Sequence, residues 1–396
     1  MNIRMLNPEQ CCGCASCAAE CPATAIEMRT DKEGFAVPAV NRDKCVECGA
    51  CVKACPMLSC QAKAGIRISA GFLASGRDRE LIAHSASGGA FAVMAKYIQE
   101  NDGIVFGACC DDDFVIRHHG YRDRIKPMQG SKYVQSDMED VFGEIKELLE
   151  KNSNVMFSGT PCQVAALKAF LGRKYGNLIT VDIICHGVSA PQAFKQYINY
   201  LVARYKKKIV EYRFRNRVKY DASGFMSKTV LSNGRVKYRM ASTDGYFYAY
   251  LRGMLFRKSC YQCPFATPER VSDITIGDCN TRRKYEDFHA GEPVSSIFPN
   301  TTEGIDLWNR IKVHFDYIPI DTEAEINANK QLNQPSKMPP ARDEVCAAFA
   351  AGNFDLFKHA PFKKSFKDKL KLMVQSHISW NARKSITRIL KRIAGR

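Results

Sequence analysis

The stretch Cys11-Cys12-Gly13-Cys14-Ala15-Ser16-Cys17-Ala18-Ala19-Glu20-Cys21-Pro22 decides how the chain begins, because its pattern occurs twice. Cys45, Cys48, Cys51 and Cys55, followed by Pro56, repeat the spacing of Cys11, Cys14, Cys17 and Cys21, followed by Pro22, 34 residues later. Three cysteines three apart let one tight loop wrap three irons of a cubane, and the fourth, carried off by the next turn, completes the other cluster. The spacing therefore predicts Cys11, Cys14, Cys17 and Cys55 on one 4Fe–4S cluster and Cys45, Cys48, Cys51 and Cys21 on a second. Gly13 and Gly49 allow backbone N–H groups to approach the sulfides. Zinc needs four ligands but neither an evenly spaced third cysteine nor a trailing Cys-Pro, so the duplication favours iron–sulfur. Cys12 and Cys60 fall outside the pattern, and Cys12 reads as a bystander.

This is the bacterial ferredoxin run, and it predicts an α+β ferredoxin-like domain over residues 1–60. Ten of the 18 cysteines lie there and eight in the rest of the 396 residues. The length suits two or three domains. No stretch approaches the ~18–20 uncharged apolar residues of a membrane span, and residues 1–10 lack the apolar run of a signal peptide. A cytoplasmic protein with metal-ligating cysteines is therefore expected. The 58 Lys and Arg against 41 Asp and Glu leave a net charge of +17. The excess is concentrated at residues 358–396, with twelve basic residues and one acid, Asp368. No recognised nucleic-acid motif accompanies it, so nucleic acid is not expected as a partner.

After a polar linker at 61–65, strand-like and helix-like segments alternate, predicting an α/β body over 66–330. Strands are expected at 66–73, 103–109, 155–158, 178–184, 210–215 and 273–277. Helices are expected at 88–99, 138–151, 163–171 and 191–205. Asn233-Gly234 marks a hairpin between 226–231 and 235–239, so antiparallel pieces make the sheet mixed. Four loops stand out. His84-Ser85-Ala86-Ser87-Gly88-Gly89-Ala90 opens a helix whose free N–H groups suit a phosphate, or is an ordinary Ser-capped start. Cys162, at a helix N-terminus, is biased toward thiolate. Cys185 ends a strand beside His186. Cys260 and Cys263 form a Cys-x2-Cys pair. These four are candidate ligands of a third cluster; a structural zinc or a redox-active Cys260/Cys263 pair also fits the spacing. Cys109, Cys110 and Cys346 read as inert, and Cys279 as a reserve ligand.

In this order behind a ferredoxin repeat, the segments Ser87-Gly88-Gly89-Ala90, Gln129-Gly130-Ser131-Lys132-Tyr133, Gly159-Thr160-Pro161-Cys162-Gln163, Ile184-Cys185, Cys260-x-x-Cys263 and Ser272-Asp273-Ile274-Thr275-Ile276-Gly277-Asp278 resemble the coenzyme F420 hydrogenase/dehydrogenase beta-subunit family. The resemblance runs from about residue 5 to residue 290. It implies an α/β flavin-binding domain with its own 4Fe–4S cluster, held by Cys162, Cys185, Cys260 and Cys263. It implies FAD contacts at Ser87, Gly88, Gly89, Ser131, Lys132 and Tyr133, with Lys132 placing its charge near the flavin ring or diphosphate. The activity implied is an oxidoreductase that couples hydride chemistry at FAD, with reduced coenzyme F420 or a small substrate, to one-electron transfer through clusters. The alternative is a non-catalytic subunit that feeds a partner reductase. A redox partner protein or soluble carrier is expected either way. No catalytic side chain is assigned, although His186 is a candidate proton donor and Arg213 to Arg217 a basic border for an anionic substrate.

Residues 331–396 read as a linker (331–340) and a helical basic C-terminal tail. Phenylalanines stand among lysines at 349–366, and an amphipathic helix is expected at 367–396. Such a helix suits the inner face of an anionic membrane, an acidic partner, or its own body with a solvated basic face.

Overall fold

Left-handed backbone lets each cysteine loop close, and it recurs at the 34-residue interval. Gly13 (φ +64°) corresponds to Glu47 (φ +52°), and Ala15 (φ +65°) to Gly49 (φ +81°). Short helices Ser16–Ala19 and Ala50–Lys53 start directly after the second of these positions in each copy. Strands β1 (Ile26–Thr30) and β2 (Ala36–Val40) form an antiparallel hairpin. Ile3 and Leu6 pack with Cys11, Cys17, Cys51 and Cys55, so the cysteines themselves take the place of a conventional apolar core.

The structure is a computed structural model and describes residues 1–59, 65–218, 221–289, 292–359 and 362. The linker at 61–65 lies outside these residues apart from Gly65, as does the helix expected at 367–396.

In the body, β3 (Ile66–Arg67) precedes β4 (Phe72–Gly76), β5 (Ile104–Cys110), β6 (Ile116–Tyr121), β7 (Val155–Gly159) and β8 (Leu178–Ile183). Then come β9 (Ile209–Val218), β10 (Asp221–Leu231), β11 (Val236–Met240), β12 (Glu269–Arg270), β13 (Ile274–Gly277), β14 (Ser295–Pro299) and β15 (Phe315–Pro319). Eight of them form one mixed sheet in the order β15-β4-β14-β13-β8-β7-β5-β6. The inner pairs β5–β7, β7–β8 and β8–β13 are parallel, and the flanks are antiparallel. Parallel strands must be covered on both faces, and the period of two shows how. Ile104, Phe106, Val155 and Phe157 face helices Val141–Glu150 and Pro161–Leu171, while Val105 and Met156 face helices Ala90–Glu100 and Thr302–Ile311. The strand expected at 66–73 is divided: its start pairs with β12 and its end begins β4, which pairs with β14 and β15. The last two strands lie beyond residue 290, where the sequence resemblance stopped.

A separate antiparallel sheet runs β11-β10-β9, its hairpin turning through Gly234 at φ +79°. Beside it, Phe194 and Tyr197 of helix Pro191–Tyr205 pack with Tyr212, Phe214, Tyr246 and Phe247. The described part of 331–396 joins this core and is not a detached tail. Helix Arg342–Ala350 buries Phe349, and Phe354 and Phe357 pack against Tyr197 and Tyr200. Flanking lysines mislead there, because the aromatic rings outweigh them in buried area. Arg342, 1% exposed, also ties this helix to the ferredoxin domain by two 2.6 Å bonds to Glu33.

Candidate functional site

The parallel strands end on one edge of the sheet, where open α/β folds gather ligands. Thr160 and Cys162 follow β7, Cys185 follows β8, and Asp278 follows β13. Thr160 and Gln163 cap each other across the first turn of helix Pro161–Leu171, which sets Cys162 in that turn. Gln163 is anchored in turn, donating from Nε2 to Ser136 Oγ at 2.8 Å.

The ferredoxin thiols group across the repeat. Burial pushes the Cys17 thiol up, and Cys14, Cys11 and Cys55 add to it as close negative neighbours. Burial likewise pushes Cys55 up to about 11, with Cys14 and Cys11 beside it. Cys51 has Cys21 and Cys48 as its neighbours, and Asn2 Nδ2 lies 3.7 Å from Cys45 Sγ. Cys11, Cys14, Cys17 and Cys55 of the first set are all buried, while in the second set Cys51 is buried, Cys21 and Cys45 are half-buried and Cys48 is exposed. The set around Cys11 is therefore an inner one, against the body, and the set around Cys48 an outer one.

The four body cysteines also meet. Cys185 is pushed well up, first by burial and then by Cys260, Cys162 and Cys263. Burial pushes Cys260 up to about 11 and Cys263 up to about 12. Among the described residues no three His, Cys, Asp or Glu side chains converge as they would on a single ion. A cubane asks for something else, one thiolate on each of four separate irons. Cys279 is not among these four; its Sγ lies 3.4 Å from both Thr281 Oγ1 and Glu325 Oε2.

Cys12 is not a bystander. Its thiol stands beside both Cys14 and Cys162, and this closeness pushes Cys12 up and Cys14 and Cys162 down. The inner ferredoxin set and the body set are thus in contact through one side chain.

A cleft of ≈ 380 Å³ opens beside the body set. Ser87, Gly89, Ser131, Lys132 and Tyr133 line it, and so does Cys185. Gly88 does not: a Cβ there would lie 2.4 Å from Ala74 O, so its role is to seat the loop against β4. Helix Ala90–Glu100 starts behind Gly89 (φ +81°) without a side-chain cap, and Ala90 and Phe91 reach the cleft. Lys132 is half-buried, and its Nζ donates to Pro127 O at 3.1 Å and Gln129 O at 2.9 Å. Burial lowers its pKa to about 8. Tyr133 stacks on Tyr250 at 4.4 Å. Arg215 pairs with Asp278 at 2.8 Å, both on the cleft wall. Of the segment Ser272 to Asp278, the first half is structural, with Asp273 Oδ2 accepting from Thr180 N and Oγ1 at 2.7 and 2.6 Å.

Two histidines line the cleft. His186 is pushed down by burial. His118 is pushed down to about 4, again by burial, and its Nε2 lies 3.0 Å from Ser158 O. Its Nδ1 is buried with no partner. A neutral ring that donates from Nε2 to this carbonyl leaves Nδ1 as an acceptor facing no donor of the protein. His118, Cys12, Gln135 and Arg257 carried no signal in sequence, because none stands in a spaced motif that points to this place.

Residues 152–323 match the family model that describes the C terminus of the beta subunit of coenzyme F420 hydrogenase/dehydrogenase, and residues 10–58 match a 4Fe-4S dicluster domain. The two matches fall on separate stretches, the dicluster match on the N-terminal cysteine repeat and the beta-subunit match on the body. The beta-subunit match extends past the limit of the sequence resemblance and takes in β14 and β15. Among solved structures, a chain of the xenon-derivatized F420-reducing [NiFe] hydrogenase complex from Methanosarcina barkeri is similar at 17% identity and a TM-score of 0.45, over 74% of this chain and 90% of that chain. Among curated proteins the comparison finds no match. The N-terminal match is to a 4Fe-4S domain and the body match is to a subunit of a hydrogenase/dehydrogenase. Among the described residues no helix is long and apolar enough to cross a membrane.

Proposed function

We propose that this protein is an iron–sulfur flavoprotein oxidoreductase, with FAD in the cleft, a 4Fe–4S cluster on Cys162, Cys185, Cys260 and Cys263, and two more in the ferredoxin domain. One observation carries the reading: Cys185 both lines the cleft and has Cys162, Cys260 and Cys263 as its neighbouring thiols. FAD supplies the exchange of a hydride for single electrons, and cubane clusters carry those electrons one at a time.

The residues present fit the group. The uncapped start of helix Ala90–Glu100 offers N–H groups to a diphosphate. The unpartnered Nδ1 of His118 is an acceptor for an imide N–H such as the flavin pyrimidine edge carries. Ser87 and Ser131 add hydroxyls to the wall. The Lys132 ammonium, bound to two carbonyls, acts as a fixed positive charge behind the loop at 129–132. Reduced coenzyme F420 is the first donor to test. Of the basic border expected at Arg213–Arg217, Arg215 reaches the cleft, and Asp278 partly neutralises it.

A second reading, a subunit that only passes electrons to a partner reductase, draws on the outer set. Cys48 is exposed there, beside exposed Val46 and Met1. Anaerobic purification with quantification of iron, sulfide and flavin tests the site. About twelve irons and one FAD per chain support the proposal, and eight irons without flavin after reconstitution sink it. Turnover of reduced F420 or reduced ferredoxin by the isolated protein decides against the second reading.

A further inference from the structure

Among the described residues, Arg215, Arg257, Arg270 and Arg342 have side chains buried to nine-tenths or more. Arg215 pairs with Asp278 at 2.8 Å, Arg270 with Asp182 at 2.9 Å, and Arg342 with Glu33 at 2.6 Å. Arg257 has only neutral acceptors. Its Nε donates to Cys11 O at 2.6 Å, Nη1 to Gln135 Oε1 at 2.9 Å and Nη2 to Ala36 O at 2.8 Å. The guanidinium also lies 5.1 Å from the centre of the Phe35 ring. A charge taken out of water without a counter-ion is strongly destabilising, so an anion is missing from this account. The thiol beside it is Cys11, which Arg257 pulls down against the effect of burial.

We infer that Arg257 is the counter-charge of the inner ferredoxin cluster and biases a shared electron toward that cluster over the outer one. A cubane on four thiolates is an anion, and it gains a further negative charge on reduction. A fixed cation beside Cys11 therefore stabilises the reduced form more than the oxidised form and raises the potential. No bond or proton moves; one electron arrives from the reductant and the guanidinium stays charged. The outer set has no equivalent among the described residues. Glu47 stands where Gly13 admits Arg257, and the nearby Arg4 already faces the Glu47 carboxylate at 3.7 Å in solvent. Arg257 also bears on Cys260, by its charge and its backbone N–H, so the bias is one between the two ferredoxin clusters alone. The inference rests on the dicluster domain and not on the flavin reading.

The test is an EPR-monitored potentiometric titration of the anaerobically purified full-length holoprotein, with dithionite as reductant. Cys48→Ser, at the exposed ligand, marks the outer cluster's signal. In Arg257→Gln the electron distribution is expected to shift at least tenfold from the inner to the outer cluster, ~59 mV for a one-electron couple. Arg257→Lys is expected to restore most of it. An unchanged inner potential, or an equal shift at both ferredoxin clusters, overturns the inference, because a purely structural role alters stability without separating the two potentials. For a glutamine variant that fails to hold its clusters, native protein labelled with ¹⁵N-arginine replaces it. Pulsed EPR is then expected to show ¹⁵N coupling to the reduced inner cluster, and its absence overturns the inference. Flavin content measured on the same samples keeps this result separate from the fate of the flavin reading.

Discussion

Gly13 and Glu47 occupy the same left-handed position in the two cysteine loops, and only Gly13 has the body packed against it. A Cβ at Gly13 would lie 2.4 Å from Gln135 Nε2, 2.6 Å from Arg257 Nη1 and 2.9 Å from Ala36 O. Glu47 instead reaches into solvent toward Arg4. The internal symmetry of the ferredoxin domain is broken where it docks. Gly13→Ala combines left-handed strain with overpacking, and a loss of about 2–4 kcal/mol is expected. Glu47→Gly relieves strain and is expected to be neutral or slightly stabilising. Anaerobic thermal and urea unfolding of the two variants checks the contrast; equal effects would contradict this docking geometry.

The Arg342–Glu33 pair joins the helix Arg342–Ala350 to the ferredoxin domain. Removing Glu33 leaves the buried Arg342 with the exposed Asp343 carboxylate at 2.9 Å, and breaking the buried pair is expected to cost up to about 3–5 kcal/mol. Glu33→Gln is therefore expected to lower the urea midpoint strongly, and the double variant Glu33→Gln/Arg342→Met to recover part of it. A double-mutant cycle measures the coupling. No coupling would show that the two-bond contact contributes nothing in solution.

His118 sets a pH window. Its folded pKa, about 4, lies below the ~6.5 of an unfolded histidine. Between these values the unfolded chain binds the extra proton and the folded chain does not, so stability rises with pH and levels off above about 6.5. The contribution lost at the acid end is on the order of 3 kcal/mol. His118→Phe is expected to flatten the unfolding profile between pH 4 and 6.5. The same variant removes the free Nδ1 acceptor and is expected to weaken FAD binding about tenfold, read by flavin fluorescence.

Cys185 stands at the junction of cleft and thiols. Cys185→Ser is expected to remove about four irons per chain and leave about eight, with the ferredoxin EPR signals retained. Cys279→Ser is expected to leave the iron count unchanged. If the two variants lost iron alike, the ligand assignment would be wrong.

The reach of the sequence follows from how far apart in the chain the interacting groups lie. A cubane loop is local: three of its ligands fall within seven residues, and even the crossing partner Cys55 belongs to a copy whose spacing repeats residue for residue. Its αL positions were only half legible, since Gly13 and Gly49 signal them while Ala15 and Glu47 do not. The inner strands β5, β7 and β8 were legible for a similar reason, because an apolar run bounded by turn residues is a property of a few neighbours. The packing of the phenylalanines at 349–357 was not legible, because local charge cannot reveal a distant aromatic surface.

The spaced motifs were enough to establish two iron–sulfur loops, an alternating α/β body and the four body cysteines as candidates. They were silent on Cys12 standing beside Cys162, on Arg257 reaching Cys11 across 246 residues and on His118, a cleft-lining residue with a buried unpaired nitrogen. Those contacts follow from sheet order and domain docking. Many weak apolar contacts settle that order together, and no residue near Cys11 in the chain encodes which arginine will be buried beside it.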